Sequence, residues 1–229
     1  MNIILISLIS GLSSMIGTII IFFNINKNKI INYSLSFTSG VMLSISIFDL
    51  IPESLKLLKK NNFIIFILFF ILGLIISFLS NKIIKNDDKL YKTGIISMIG
   101  LIIHNIPEGI LTYASFKINR DLGIKMAFLI AMHNIPEGIA ISIPIYYSTN
   151  NKMKAITYTL ISSLAEPFGT ILSIIFLKQL INNLFLGILF SMVSGIMIYI
   201  SLIELPKTIK KSIIFFLIGI IFILINLII

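Results

Sequence analysis

The chain has 229 residues, of which 57% are hydrophobic and only 12% are charged, and its formal net charge is +9. This composition is too apolar for a soluble domain of that length and indicates a polytopic membrane protein. The absence of cysteine excludes disulfides and thiolate metal sites. The positive charge lies in short connectors between apolar segments, where it indicates membrane topology rather than nucleic-acid binding.

Apolar segments of about 20 residues, the length that crosses a bilayer, follow one another along the whole chain. They predict an all-α fold with eight transmembrane helices in a single domain covering residues 1–229. We interpret the first segment as a true span, because it is longer than the core of a signal peptide and no basic residue precedes it. The predicted spans are 3–23, 33–56, 62–82, 93–116, 122–147, 154–177, 183–205 and 212–229.

The basic residues are distributed unevenly between the two sides of the membrane. Of the 18 Lys and Arg residues, 11 lie in connectors that follow odd-numbered spans and seven in connectors that follow even-numbered spans. Basic connectors are retained in the cytoplasm. The odd-numbered connectors are therefore predicted to be cytoplasmic, and both termini of this cell-membrane protein are predicted to be extracellular.

A six-residue motif, HNIPEG, occurs twice, at residues 104–109 and 133–138. The two copies contain both histidines of the chain and lie near the centres of the fourth and fifth spans, where imidazole and carboxylate groups are costly to keep. Because residues three and four apart share one helix face, the His, Asn and Glu of each copy can point into one cavity. Such nitrogen and oxygen ligands bind divalent cations. The motifs therefore predict an intramembrane metal site.

Glu166, near the centre of the sixth span, is predicted to join this site. The turns near Asn119 and Asn150 place it at the same depth as the two motifs if the three spans are antiparallel. Each of these spans also carries a proline beside its glutamate, which frees a backbone carbonyl that can line a polar cavity. The candidate metal ligands from these spans are His104, Asn105, Glu108, His133, Asn134, Glu137 and Glu166.

Four further residues of interest lie in the second and seventh spans. Asp49 and Glu53, at the outer end of the second span, either form an entrance for cations or mark the level of the lipid headgroups. Met42 is either a soft ligand or an apolar gap-filler, and composition favours the latter. Glu204 is expected to form an exposed ion pair with the nearby Lys207.

With these motifs the chain resembles the ZIP (Zrt/Irt-like) family of divalent metal transporters and is most similar to its compact bacterial members. The resemblance rests on the two HNIPEG copies in spans four and five and on the Glu166-Pro167 pair in span six. It implies a bundle in which spans 1–3 and 6–8 form an inverted repeat around spans four and five, an elevator-like movement and a homodimer. This chain lacks the histidine-rich loop that many relatives carry between spans three and four.

The resemblance also implies two adjacent metal positions that share Glu108 and Glu137. In this arrangement Asp49 would lie near the outer mouth. The further ligands of the first position would be His104, His133 and Met42. Those of the second would be Asn105, Asn134 and Glu166.

The expected function is import of divalent cations, with Zn²⁺ as the leading substrate and Fe²⁺, Mn²⁺, Co²⁺ and Cd²⁺ as further candidates, because the ligand types do not select one metal. No catalytic residue and no organic cofactor are expected. The alternative is an intramembrane zinc metalloenzyme, but zinc proteases place two histidines four residues apart on one helix, and neither motif has a second histidine. A purely structural protein would leave the repeated ligand set unexplained.

Overall fold

The computed structural model describes residues 2–23, 26–59, 62–84, 86–177, 181–208 and 212–228. Within these ranges the chain forms eight long helices and no strand. We number the helices in chain order as α1 (Ile3–Phe22), α2 (Lys27–Leu58), α3 (Phe63–Ile83), α4 (Lys89–Ile118), α5 (Arg120–Thr149), α6 (Lys152–Phe176), α7 (Asn183–Glu204) and α8 (Ile213–Ile228).

The predicted class, an all-α polytopic membrane protein, is confirmed. The first seven helices are long and apolar enough to cross a membrane, and α8 is a shorter apolar helix. Several helices extend beyond the predicted apolar spans because polar residues cap them outside the apolar stretch. The side chain of Asn26 accepts hydrogen bonds at the start of α2, and that of Asp88 does so at the start of α4.

Asn119 alone joins α4 to α5. Its backbone N–H donates to the carbonyl of Ser115 at the end of α4, and its side chain accepts from the backbone N–H of Asp121 at the start of α5. One residue therefore ends one helix and caps the next. The resulting antiparallel hairpin sets the two HNIPEG motifs side by side.

Two packing groups make up the bundle. Helices α1, α4, α5 and α6 pack on one another, and α2, α3, α7 and α8 form the second group, which meets the first mainly through α2 against α5 and α7 against α4. In the first group, Gly17 and Gly138 bring α1 against α5, and Gly109 and Gly169 bring α4 against α6. A side chain at any of these four glycines would collide with a backbone carbonyl of the facing helix.

The helices of the second group also pack closely through glycines. Gly40 and Gly219 bring α2 against α8, and Gly73 and Gly195 bring α3 against α7. Exchanging α1 with α6, α2 with α7, α3 with α8 and α4 with α5 converts each of the four glycine contacts into another. Since consecutive spans alternate in direction, the exchanged helices run in opposite directions through the membrane. The glycine contacts thus follow the inverted repeat that the resemblance implies.

The two halves also share their irregularities. Helix α1 is interrupted at Ser13 and α6 at Leu164, while α2 and α7 each contain a π-helical segment, Ser46–Leu50 and Ile200–Glu204. Such interruptions are often found at functional sites. Here they occur in corresponding helices of the repeat.

Replacing Gly73 with Val should destabilise the second packing group. The new side chain would meet the backbone carbonyl of Met192, which cannot move aside without shifting α7, and such overpacking typically costs about 1–3 kcal/mol. We expect a lower melting temperature of the purified protein in detergent. The neighbouring Leu72→Val, at a position 40% exposed on the outer face of α3, is the control and should leave the melting temperature unchanged. Equal melting temperatures for the two variants would contradict the proposed contact.

Candidate metal site

The α4–α5 hairpin brings the histidines and glutamates of both motifs into one buried cluster. Nε2 of His133 lies 2.5 Å from Oε1 of Glu108, and Nε2 of His104 lies 3.1 Å from the same oxygen. Nε2 of His104 is also 3.3 Å from Oε1 of Glu137. Glu108 therefore contacts both imidazoles and is the centre of the cluster.

The cluster has the dimensions of a metal site. One ligand atom from each of His104, His133 and Glu137 can be chosen so that all three lie within 4.8 Å of one another. These three residues are at most 9% exposed, and Glu108 between them is 5% exposed. A cation held here would be surrounded by nitrogen and carboxylate oxygen ligands, the set that binds zinc and other first-row divalent ions.

Several buried polar atoms of the cluster make no hydrogen bond within the described part of the protein, although burying such atoms without a partner is costly. His104 approaches two carboxylates closely but without the geometry of a hydrogen bond. Convergent ligand atoms without a hydrogen-bond partner in the described chain are what a cation-binding cavity needs. The atoms are both ring nitrogens of His104, Oδ1 of Asn105, Oε2 of Glu108, Oδ1 of Asn134 and both carboxylate oxygens of Glu137.

Glu166 lies beside this cluster, fully buried on α6. Its Oε2 accepts a hydrogen bond from Nδ2 of Asn134 at 3.1 Å, and its Oε1 accepts one from Oγ of Ser7 at 3.5 Å. Thr170 in turn donates to Ser7 at 2.8 Å, so a polar network from α1 and α6 holds the carboxylate in place. Glu166 is therefore positioned next to the α5 motif.

The two motif asparagines are oriented alike. Nδ2 of Asn105 donates to the carbonyl of Ser162, and Nδ2 of Asn134 donates to the carbonyl of Ser10, each at 3.2 Å. These bonds use the amide nitrogens, which leaves the side-chain carbonyl oxygens available as ligands. Exchanging α1 with α6 and α4 with α5 converts one of these contacts into the other, as it does for the glycine contacts.

Met42 lies fully buried in the apolar core, in the same cluster of side chains as Leu101 and Met197. This is the environment that composition favours for a methionine gap-filler. A role of Met42 as a soft ligand stays a prediction.

A vestibule of about 490 Å³ leads to the cluster from one side of the bundle. Glu108 and His133 line its inner part, and Asp49 and Glu53 also face it. Glu53 forms an ion pair of 3.2 Å with Lys56, whose side chain is 76% exposed. Asp49 and Glu53 thus line the same vestibule as Glu108 and His133.

The prediction that Glu204 is exposed is wrong. The residue is 1% exposed, because α7 packs against α3 and α4 at this end. It accepts hydrogen bonds from Nδ2 of Asn81 at 2.5 Å and from Oγ1 of Thr93 at 3.1 Å. The side chain of Lys207, its expected partner, lies outside the described part of the chain.

No sequence pattern indicated a role for Asn81 or Thr93. A repeat shared by α2 and α7, in which Glu204 corresponds to Asp49, is the sequence signal that distinguishes Glu204 from a surface acid.

Comparison with known proteins places the chain in a family. The sequence model of the family described as ZIP zinc transporter matches residues 86–227, more than half of the chain. The chain belongs to the ZIP family. ZIP proteins are transporters, so the alternative of an intramembrane metalloenzyme has no support, and the chain is a multi-pass membrane protein.

Three relatives that are named zinc transporters are consistent with this family. The chain is 35% identical to zinc transporter ZupT of Streptococcus mutans over 219 residues, which cover 86% of this chain and 83% of the relative. It is 36% identical to zinc transporter ZupT of Chlorobaculum parvum over 231 residues, covering 90% and 86%. It is 35% identical to zinc transporter ZupT of Clostridium perfringens over 245 residues, also covering 90% and 86%. The similarity to these ZIP proteins extends over nearly the whole chain.

Replacing Glu166 with Gln should lower the number of zinc ions that the purified protein binds, because the change removes the charge of one candidate ligand and keeps its size. If the cluster holds two ions, we expect two per chain in the unaltered protein and one in the variant, measured by equilibrium dialysis with elemental analysis. The matched control is Asp121→Asn, which removes the charge of an exposed acid and should bind as the unaltered protein does. Unchanged binding by the Glu166→Gln variant would make its role structural.

Proposed function

We propose that this chain imports divalent transition-metal cations into the cytoplasm through the buried cluster on α4, α5 and α6, with Zn²⁺ as its main substrate. The observation that carries the proposal is the shared carboxylate of Glu108, which contacts both motif histidines at the inner part of the vestibule. The relatives that are named zinc transporters support zinc as the substrate. Fe²⁺, Mn²⁺, Co²⁺ and Cd²⁺ suit the same ligands and are further candidates.

The proposed site holds two ions that share Glu108 and Glu137. His104 and His133 complete the first position, and Met42 is proposed as its soft ligand. Asn105, Asn134 and Glu166 complete the second position. The side-chain oxygens of both asparagines and of Glu137, which have no hydrogen-bond partner among the described residues, support this assignment.

Charge supports the same proposal. Three glutamates lie together in a bundle that the membrane surrounds, where like charges repel strongly and water does not screen them. A divalent cation offsets that repulsion. The bound ion therefore stabilises the cluster, and the cluster retains the ion without a thiolate ligand.

The direction of transport is inferred from the charge of the connectors. The vestibule lies at the end of the bundle where α4 turns into α5, an even-numbered connector. Most of the Lys and Arg residues lie in connectors at the opposite end. The positive-inside rule then predicts an extracellular vestibule and a closed end in the cytoplasm, with both termini extracellular.

The residues of the chain have distinct parts in this process. Asp49 and Glu53 attract a hydrated cation into the vestibule, and Glu108 and His133 receive it at the inner part. Release into the cytoplasm requires that the site-bearing group, α1 and α4–α6, move relative to α2, α3, α7 and α8. An elevator-like movement of this kind is what the family resemblance implies.

Replacing Glu108 with Gln should abolish zinc uptake, because the variant loses the carboxylate that both histidines contact. The measurement is uptake of radioactive zinc by purified protein in liposomes, together with size-exclusion chromatography to verify folding. Asp121→Asn, which removes an exposed acid at the start of α5, should retain full uptake. Normal zinc accumulation by a folded Glu108→Gln variant would refute the proposed site.

Zinc uptake should weaken as the external pH falls. His and Glu must be deprotonated to bind a metal, so protons compete with zinc, and the half-saturation concentration should rise between about pH 7 and about pH 5. The assay keeps the pH equal on both sides of the membrane, which separates this competition from any coupling to a proton gradient. A rate that stayed flat or rose on acidification would contradict the proposed ligand set.

A further inference from the structure

Helices α2 and α7 share a sequence repeat that is longer than HNIPEG. Residues 39–52 read SGVMLSISIFDLIP, and residues 194–206 read SGIMIYISLIELP. The glycine, the methionine and the acid keep the same spacing in both copies, so Asp49 corresponds to Glu204. Each acid also lies in a π-helical segment. Since α2 and α7 run in opposite directions, the two acids lie at opposite ends of the bundle.

The two corresponding acids have opposite environments. Asp49 lines the vestibule. Glu204 is buried and accepts hydrogen bonds from Thr93 on α4 and from Asn81 on α3. In this structure one end of the repeat is therefore open and the other is closed by polar contacts.

Thr93 stands on the same helix as the metal cluster. Residues 93, 97, 101 and 104 share one face of α4, which leads from Thr93 past Ser97 and Leu101 to His104. Ser97 is fully buried, and its hydroxyl has no hydrogen-bond partner within the described chain, whereas Leu101 is fully buried and apolar. At a rise of about 1.5 Å per residue, Thr93 lies roughly 16 Å from the level of His104. Glu204 is thus hydrogen-bonded to Thr93, at the end of this face that lies farthest from the metal cluster.

The hydrogen bonds from Asn81 and Thr93 to Glu204 differ in which packing groups they join. Asn81 and Glu204 both belong to the group of α2, α3, α7 and α8. Thr93 belongs to the site-bearing group. A movement of one group past the other can preserve the Asn81 bond but must break the Thr93 bond.

Other side-chain hydrogen bonds also cross this boundary. Among the described residues, Lys27 and Thr38 on α2 donate to backbone carbonyls of α5. The Thr93 bond differs because both of its partners are buried side chains and one is a carboxylate. Hydrogen bonds to charged groups are about twice as strong as neutral ones.

We propose that the Thr93–Glu204 hydrogen bond is the gate of the closed end, opposite the vestibule, and that Asn81 positions the Glu204 carboxylate for it. The inference rests on the proposed transport function, since a gate has meaning only on a path through the protein. Rupture of the bond exposes the face that carries Ser97 and gives the site access to the closed end. Thr93 and Glu204 are positioning residues here, because neither contacts the candidate metal ligands.

Site-specific labelling tests the gate directly, because the chain contains no native cysteine. Ser97→Cys reports on the closed end, and Ser115→Cys, in the vestibule lining, reports on the open end. A membrane-impermeant thiol reagent is added from each side in turn, with right-side-out and inside-out vesicles. Thr93→Val, which removes the hydroxyl and keeps the shape, should raise labelling at position 97 by on the order of tenfold or more and lower labelling at position 115.

Two control variants separate the gate from general loosening. Thr93→Ser keeps the hydroxyl and should restore the labelling of the parent. Thr112→Val makes the same substitution on the same helix, at a fully buried threonine whose hydroxyl has no hydrogen-bond partner in the described chain. It should leave labelling at position 97 at the level of the parent. Unchanged labelling at position 97 in Thr93→Val overturns the gate. Increased labelling of both reporters in that variant also overturns it.

A cross-link provides a second test if Thr93→Val does not fold. In the variant Thr93→Cys/Glu204→Cys, a short thiol cross-linker would tie α4 to α7. We expect zinc uptake to stop after cross-linking and to return after reduction, while zinc binding from the vestibule side persists. Uptake that continues after complete cross-linking overturns the gate.

Zinc uptake by the cysteine-free parent is measured in parallel. This measurement distinguishes failure of the gate from failure of the proposed function. A parent that transports zinc while Thr93→Val labels normally refutes the gate alone. A parent that transports no zinc refutes the proposed function. In that case the one-sided shift in labelling also loses its meaning as a gate.

Discussion

The cost of keeping carboxylates and imidazoles in the middle of a membrane determines much of this structure. An uncompensated buried charge is destabilising by several kcal/mol, so each such group needs a partner. Glu108 has two histidines, and Glu166 has Asn134 and Ser7. Glu137 lies near the ring of His104, but neither of its oxygens makes a hydrogen bond in the described chain. Under the proposed function, a metal ion completes these contacts.

Close helix packing holds the cluster at the required dimensions. The last residue of each HNIPEG copy is the glycine through which α4 meets α6 and α5 meets α1. Six residues thus combine the ligands with the contact that fixes the helix carrying them. Glu166 lies where α6 meets Gly109, and Ser14 lies at the corresponding place where α1 meets Gly138. The repeat therefore supplies a third carboxylate on one side only, which makes the cluster asymmetric.

Much of the fold and of the candidate site was predictable, because membrane spans and helix faces are local properties of the sequence. Hydropathy predicted the spans, and the spacing within HNIPEG predicted that His and Glu share a face. The numbers of residues between each glutamate and the turns predicted that α6 brings Glu166 to the same level. Helix ends were less predictable, since caps such as Asn26 and Asp88 extend helices into polar sequence. The burial of Glu204 was not predicted, because a lysine three residues later suggested a solvated pair.

The sequence by itself determined the membrane fold class, the candidate ligands and the family, since these depend on composition, spacing and motif identity. Only the tertiary structure decided which atoms meet. It brought two imidazoles to Glu108, opened a vestibule at Asp49 and buried the corresponding Glu204 against Thr93 and Asn81. Two copies of one repeat acquired opposite environments because the helices that face them differ at the two ends of the bundle. A local sequence pattern does not determine those long-range neighbours.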